Sequence, residues 1–121
     1  MKFFKFWFPV LAYSGIIFYV SSLQIGSVAA DSNDKIVHLV EYSLLGYLFA
    51  RALKATANSS RKTIVFSTVL FALFFGISDE FHQSFVPTRQ CEAGDAAADT
   101  AGGFLGVMVF LSVLRKKRKL V

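Results

Sequence analysis

The chain has 121 residues, of which 55% are hydrophobic and 17% charged, with a formal net charge of +5. A water-soluble domain carries about 25% charged residues, so this composition excludes a globular protein able to cover itself in water and places the chain in the membrane class. A single cysteine, Cys91, excludes an internal disulfide.

The first apolar stretch, about 6–23, follows Lys2 and Lys5. It exceeds the apolar core of a cleaved secretion signal, which runs to about 7–15 residues, so it is expected to be retained as a span, even though "SVAA" before Asp31 has the small residues of a cleavage site. Pro9 is tolerable near a helix start, where a missing N–H costs little. "DSNDK" offers Asp31, Ser32, Asn33 or Asp34 as a helix cap, and a second span is expected over about 36–53. "KATANSSRK" reads as a short polar turn.

The third apolar stretch, 64–77, is short for a spanning helix, which needs about 20 residues. It qualifies only if the helix continues through "GISDEFHQSFVPTRQ" to about Phe85, stopping before Pro87. The third span is therefore expected over about 64–85. The fourth, about 96–114, contains "GGFLG", a close helix-packing face. The expected fold class is an all-α membrane protein, a single domain over 1–121 built as a four-transmembrane-helix bundle.

Charge orients the bundle, because Lys and Arg are retained on the cytoplasmic side. Four spans put eleven of the thirteen bases on one face, and leave only Lys35 and Arg89 on the other, together with all eight acids. Both termini are therefore expected to be cytoplasmic. The "RKKRKL" run resembles a nucleic-acid patch in composition, but it directly follows a span, where each base near anionic headgroups gains about 1 kcal/mol. Anionic lipid, and no nucleic acid, is the expected partner of this tail.

Helices rise about 1.5 Å per residue. Measured from the basic ends, His38 lies about 24 Å above Lys54, Asp79 about 22 Å above Ile64, and Asp99 and Asp95 about 22 and 28 Å above Leu114. In a hydrocarbon core about 30 Å thick, these residues share one layer near the outer interface. Lys35, His38 and Tyr42 fall on one helix face, as do Asp79 and Gln83, and Asp95 and Asp99. Singly, Asp34 and Lys35 suit a cap and an anchor, His38 a satisfied boundary residue, and the aromatics a belt. Together, ionisable groups at this depth are costly and mark function.

The runs "DKIVHLVEYSLLG", "SDEFHQSFVPTR" and "DAAADTAGGFLG" resemble the VanZ-like family of small bacterial membrane proteins. The resemblance covers about residues 34–106 and departs from the family pattern at two positions: Thr88, where glycine is frequent, and Asp99, where asparagine is common. It implies a four-helix protein of the cell envelope, linked through the family's namesake to resistance against the lipoglycopeptide teicoplanin.

Three functions follow. In the first, the polar layer binds an amphiphile at the outer leaflet, a membrane lipid or lipid-linked envelope molecule. Lys35 and Arg89 take an anionic headgroup, while Tyr42, Gln83 and Asp99 complete the binding set. In the second, the protein is an enzyme acting on a lipid headgroup, a hydrolase or transferase. His38, Asp79, Glu80 and Asp95 are then the catalytic candidates, with a carboxylate as general base and His38 as proton carrier. In the third, the layer only pairs internally, although two bases against four acids leave surplus negative charge. His38, His82 and the carboxylates also offer metal ligands, but no fixed ligand spacing such as HExxH is present, so no metal or other cofactor is expected.

Overall fold

Each apolar stretch forms a helix, and the four helices alternate in direction. The computed structural model describes residues 2–22, 32–85 and 93–120, with the side chains of 21–22, 32–35, 83, 93–95 and 120 outside that description. The helices are α1 (Lys2–Ser22), α2 (Ser32–Ala57), α3 (Arg61–Gln83) and α4 (Ala93–Leu120). Each is long and apolar enough to cross a membrane. The "SVAA" motif and the segment holding Pro87, Thr88, Arg89, Cys91 and Glu92 lie outside the described residues.

Helix ends differ from the apolar boundaries for local reasons. Because α1 already begins at Lys2, Pro9 sits inside it and not at its start; the Lys5 carbonyl loses its usual donor there. At the other end of the chain, α4 continues through the basic run to Leu120. Arg and Lys are good helix formers, and cations suit the negative end of the helix dipole. The third helix stops at Gln83, two residues before the expected limit. Ser84 caps it in α-helical geometry, its amide donating to the Glu80 carbonyl at 3.1 Å. Between α2 and α3 the chain reverses in three residues. Asn58 takes a left-handed conformation at φ 48°, with its amide donating to the Lys54 carbonyl at 3.1 Å, a closure that asparagine tolerates. Ser60 then caps α3, its Oγ accepting the Thr63 amide at 3.3 Å.

Lipid gives little hydrophobic drive for helix association, so close packing decides the arrangement. The tightest pair is α2 with α4. Glycines on α4 lie directly against neighbouring backbone. A Cβ at Gly102 would meet the Leu39 carbonyl oxygen at 2.6 Å, and one at Gly106 would strike the Ser43 carbonyl oxygen and lie 2.8 Å from the Tyr47 amide nitrogen. On the other side of α4, Gly103 abuts the Ala72 methyl of α3.

The space between α1, α2 and α3 is filled by rings. Trp7 meets Phe49 edge-on at 5.4 Å, Phe49 stacks on Phe71 at 4.4 Å, and Phe75 follows at 5.8 Å, touching both Tyr42 and Phe18. The Trp7 indole donates to Thr56 Oγ1 at 3.0 Å, and the Tyr13 hydroxyl to the Glu41 backbone carbonyl at 3.0 Å, which ties α1 to α2. Large apolar side chains such as Phe4, Leu11, Phe66, Phe74 and Phe81 point outward, a surface suited to hydrocarbon and unsuited to water.

Candidate functional site

Each inner helix carries a buried stripe at helical spacing, and each stripe becomes polar at the same end. On α3 it runs Ile64, Thr68, Ala72, Gly76 and then Asp79 and Glu80. On α4, reading the opposite way, it runs Phe110, Val107, Gly103 and Asp99, and on α2 Leu45, Tyr42 and His38. His38, Tyr42, Asp79, Glu80 and Asp99 are all buried, Asp99 and Tyr42 with no exposed surface at all.

The centre of this cluster is a contact between α2 and α4. His38 Nδ1 lies 2.7 Å from Asp99 Oδ1. A carboxylate only accepts, so Nδ1 carries the proton and its N–H donates a hydrogen bond to Asp99 Oδ1. That fixes the tautomer of the neutral ring, making Nε2 its basic nitrogen. The third helix makes room: a Cβ at Gly76 would meet Asp99 Oδ2 at 2.9 Å and its Cβ at 3.0 Å. Gly76 is therefore the seat of the Asp99 carboxylate.

Tyr42 lies one turn below His38 on α2. Asp99, Asp79, Glu41 and Glu80 stand within electrostatic reach of its phenol, whose hydroxyl has no hydrogen-bond partner among the described residues. The Thr68 hydroxyl, deeper on the α3 stripe, is likewise buried and has none among them. A free phenol donor beside several carboxylates can donate to an oxygen of an incoming group, while the carboxylates can accept from hydroxyl or ammonium groups.

Of the residues singled out from sequence, the structure brings together His38, Tyr42, Asp79, Glu80 and Asp99. Lys35 stands on α2 one turn before His38, Gln83 ends α3, and Asp95 lies in the first turn of α4, with their side chains outside the description. Arg89 lies outside the described residues altogether. The His82 ring meets the Phe18 ring of α1 at 5.2 Å. Among the described residues, no three His, Cys, Asp or Glu side chains gather as a metal site.

Two contributors carry weaker sequence signals. Gly76 lies one turn before Asp79, and Thr68 is a polar interruption of an apolar run two turns further back. Both are legible only as members of a stripe spaced by four.

A family profile described as VanZ/LLP1 matches residues 2–115. The chain belongs to the VanZ/LLP1 family. The match covers all four helices, including the three whose buried stripes build the His38–Asp99 centre. Comparison with curated proteins and with solved structures returns no match. The family is named for a relation to teicoplanin resistance, and this membership makes the chain a multi-pass membrane protein of that family.

Proposed function

We propose that this VanZ-family protein binds an amphiphilic envelope molecule, a lipid or a lipid-linked wall precursor, at the extracytoplasmic face of the membrane, and thereby lowers susceptibility to teicoplanin. One observation carries the reading: five buried polar side chains from three helices converge around the 2.7 Å His38–Asp99 contact inside an apolar bundle. Ionisable groups at such depth are costly and face bundle interiors where they serve a ligand or proton path. In this reading Lys35 and Arg89 are the cations for an anionic headgroup, and Gln83 and Asp95 are further candidate site residues.

The test is teicoplanin susceptibility in a sensitive Gram-positive host, with vancomycin, which has no lipid tail, as comparison. The wild-type chain is expected to raise the inhibitory concentration of teicoplanin alone. Glu80→Gln, which keeps shape and removes charge, is expected to return it to the host's own level at unchanged membrane abundance. Protection by the variant equal to wild type overturns the role of the cluster. Loss of the protein from the membrane instead assigns Glu80 to folding.

A second reading, an enzyme acting on a lipid headgroup, draws support from the oriented His38 ring, since a carboxylate-held imidazole is suited to moving a proton. Mass spectrometry of envelope lipids from the same strains separates the two: new or missing lipid species dependent on His38 favour catalysis, and an unchanged profile with protection retained favours binding.

The basic ends of the helices face the cytoplasm under the positive-inside rule, and Cys91, between α3 and α4 in sequence, then faces out. In intact cells a membrane-impermeant maleimide is expected to label Cys91. A cysteine placed at Ser59 in a Cys91→Ser background should react only after lysis. The reverse pattern inverts the topology and moves the polar centre to the inner face.

A further inference from the structure

The end of the bundle opposite the polar centre holds a second built feature. The end of α2, the turn to α3 and the last turns of α4 enclose a pocket of about 280 Å³, rimmed by Lys54, Arg61, Arg115 and Arg118 with Ser59 among them. Its floor is apolar, made by Ile64, Leu111 and Leu114. No acidic residue lines it, and none of the four cations has a carboxylate partner among the described residues. The amino terminus of α3, capped by Ser60, adds the positive end of a helix dipole to the same place.

Topology alone does not require this arrangement. The positive-inside rule is satisfied by bases anywhere near the helix ends, whereas here cations from three helices converge on one concavity at the cost of mutual repulsion. A second pocket adjoins it through Arg61. This groove, of about 690 Å³, has Arg61 and Lys62 at its mouth and Val65, Phe66, Val69 and Phe104 along its length, and it runs down the lipid-facing side of α3 and α4. A cationic rim leading into an apolar groove is complementary to one kind of molecule, an anion with a hydrocarbon tail.

We propose that this end carries a binding site for a phosphate-bearing membrane lipid, with the phosphate among Lys54, Arg61, Arg115 and Arg118 and an acyl chain in the Phe66–Phe104 groove. Arginine suits phosphate because its planar fork donates in pairs. The site is distinct from general attraction of the basic tail to the membrane, since Lys116, Lys117 and Lys119 of the same run line neither pocket. It also stands independently of the polar centre, which lies at the other end of the helices.

The experiment is a native mass-spectrometry titration of the full chain in detergent with phosphatidylglycerol, and separately with glycerol phosphate, which has the phosphate but no chain. Two charge-matched variants are compared: Arg61→Gln with Arg115→Gln, which removes the rim, and Lys2→Gln with Lys117→Gln, which removes equal charge elsewhere. The wild type is expected to hold phosphatidylglycerol. The rim variant should bind about tenfold more weakly, equivalent to about 1.4 kcal/mol, and the control variant should match wild type. Phe66→Ala is expected to weaken the lipid and leave glycerol phosphate unchanged. Equal losses in both double variants overturn the proposal in favour of diffuse charge. Glycerol phosphate binding as tightly as the lipid, with no effect of Phe66→Ala, overturns it in favour of a soluble phosphate ligand. Circular dichroism checks that the rim variant is folded. If it is not, Arg118→Gln alone, at an exposed position, must weaken the lipid where Lys117→Gln does not.

Discussion

Gly106→Leu is expected to prevent the bundle from assembling, the largest effect of any single substitution considered. At this position the first added carbon meets the Ser43 carbonyl oxygen and the Tyr47 amide nitrogen. Both are backbone atoms in the middle of α2, so neither can rotate away, and relief requires α2 and α4 to separate along their whole contact. Overpacking ordinarily costs about 1–3 kcal/mol when side chains can shift; a clash with helix backbone belongs at or above the upper end of that range. In lipid little hydrophobic gain holds the pair together once the fit is lost. Loss of the α2–α4 contact is expected to appear as rapid proteolysis of the inserted protein, or as an unfolding transition in detergent that falls below measurable stability. Gly15→Ala, where an added carbon meets nothing within 4 Å, is the matching control and should be near neutral. A stable Gly106→Leu protein refutes the helix spacing described here.

The second large effect concerns Asp99. Asp99→Ala removes the acceptor of the 2.7 Å bond from His38 and leaves a ring donor buried inside the bundle, at a cost of about 1–3 kcal/mol. Asp99→Asn keeps an acceptor oxygen in nearly the same place and removes only the charge, so it should lose about 1 kcal/mol or less. The contrast separates geometry from charge. Unfolding in detergent reports the stability difference. Nitrogen NMR of the His38 ring, in a His82→Gln background that leaves one histidine, reports the tautomer. Wild type and Asp99→Asn are expected to hold the proton on Nδ1, and Asp99→Ala to lose that preference. If all three proteins share stability and tautomer, the His38–Asp99 pair does not orient the site.

Much of the architecture was legible because a membrane restricts the possibilities. Apolar length identifies helices when every backbone group must be satisfied within its own segment, and four stretches became four helices. Depth arithmetic placed His38, Asp79 and Asp99 at one level, which follows from a fixed rise per residue. What the sequence withheld was azimuth. Periodicity states which residues share a face, but not which face meets which neighbour. The pairing of His38 with Asp99, the seat at Gly76 and the turning of His82 toward Phe18 all depend on how each helix is rotated. Glu80 sits beside Asp79 in sequence, about 100° around an ideal helix of 3.6 residues per turn. Both are nonetheless buried, because α3 is flanked by α2 and α4 on adjoining sides. Helix limits failed for a different reason. Hydropathy marks where apolar residues end, whereas helix geometry persists into Lys- and Arg-rich sequence that favours it, as in the last turn of α4.

The ladder of rings from Trp7 through Phe49, Phe71 and Phe75 to Tyr42 has a consequence for traffic across the membrane. Between the basic end and the polar centre, the interior on that side is closed by stacked hydrocarbon, and on the α4 side by abutting backbones. Among the described residues, the polar centre is thus separated from the basic end by packed rings and abutting helix backbone. Under the binding proposed above, a headgroup would therefore have to reach the polar centre from the polar centre's own end of the bundle.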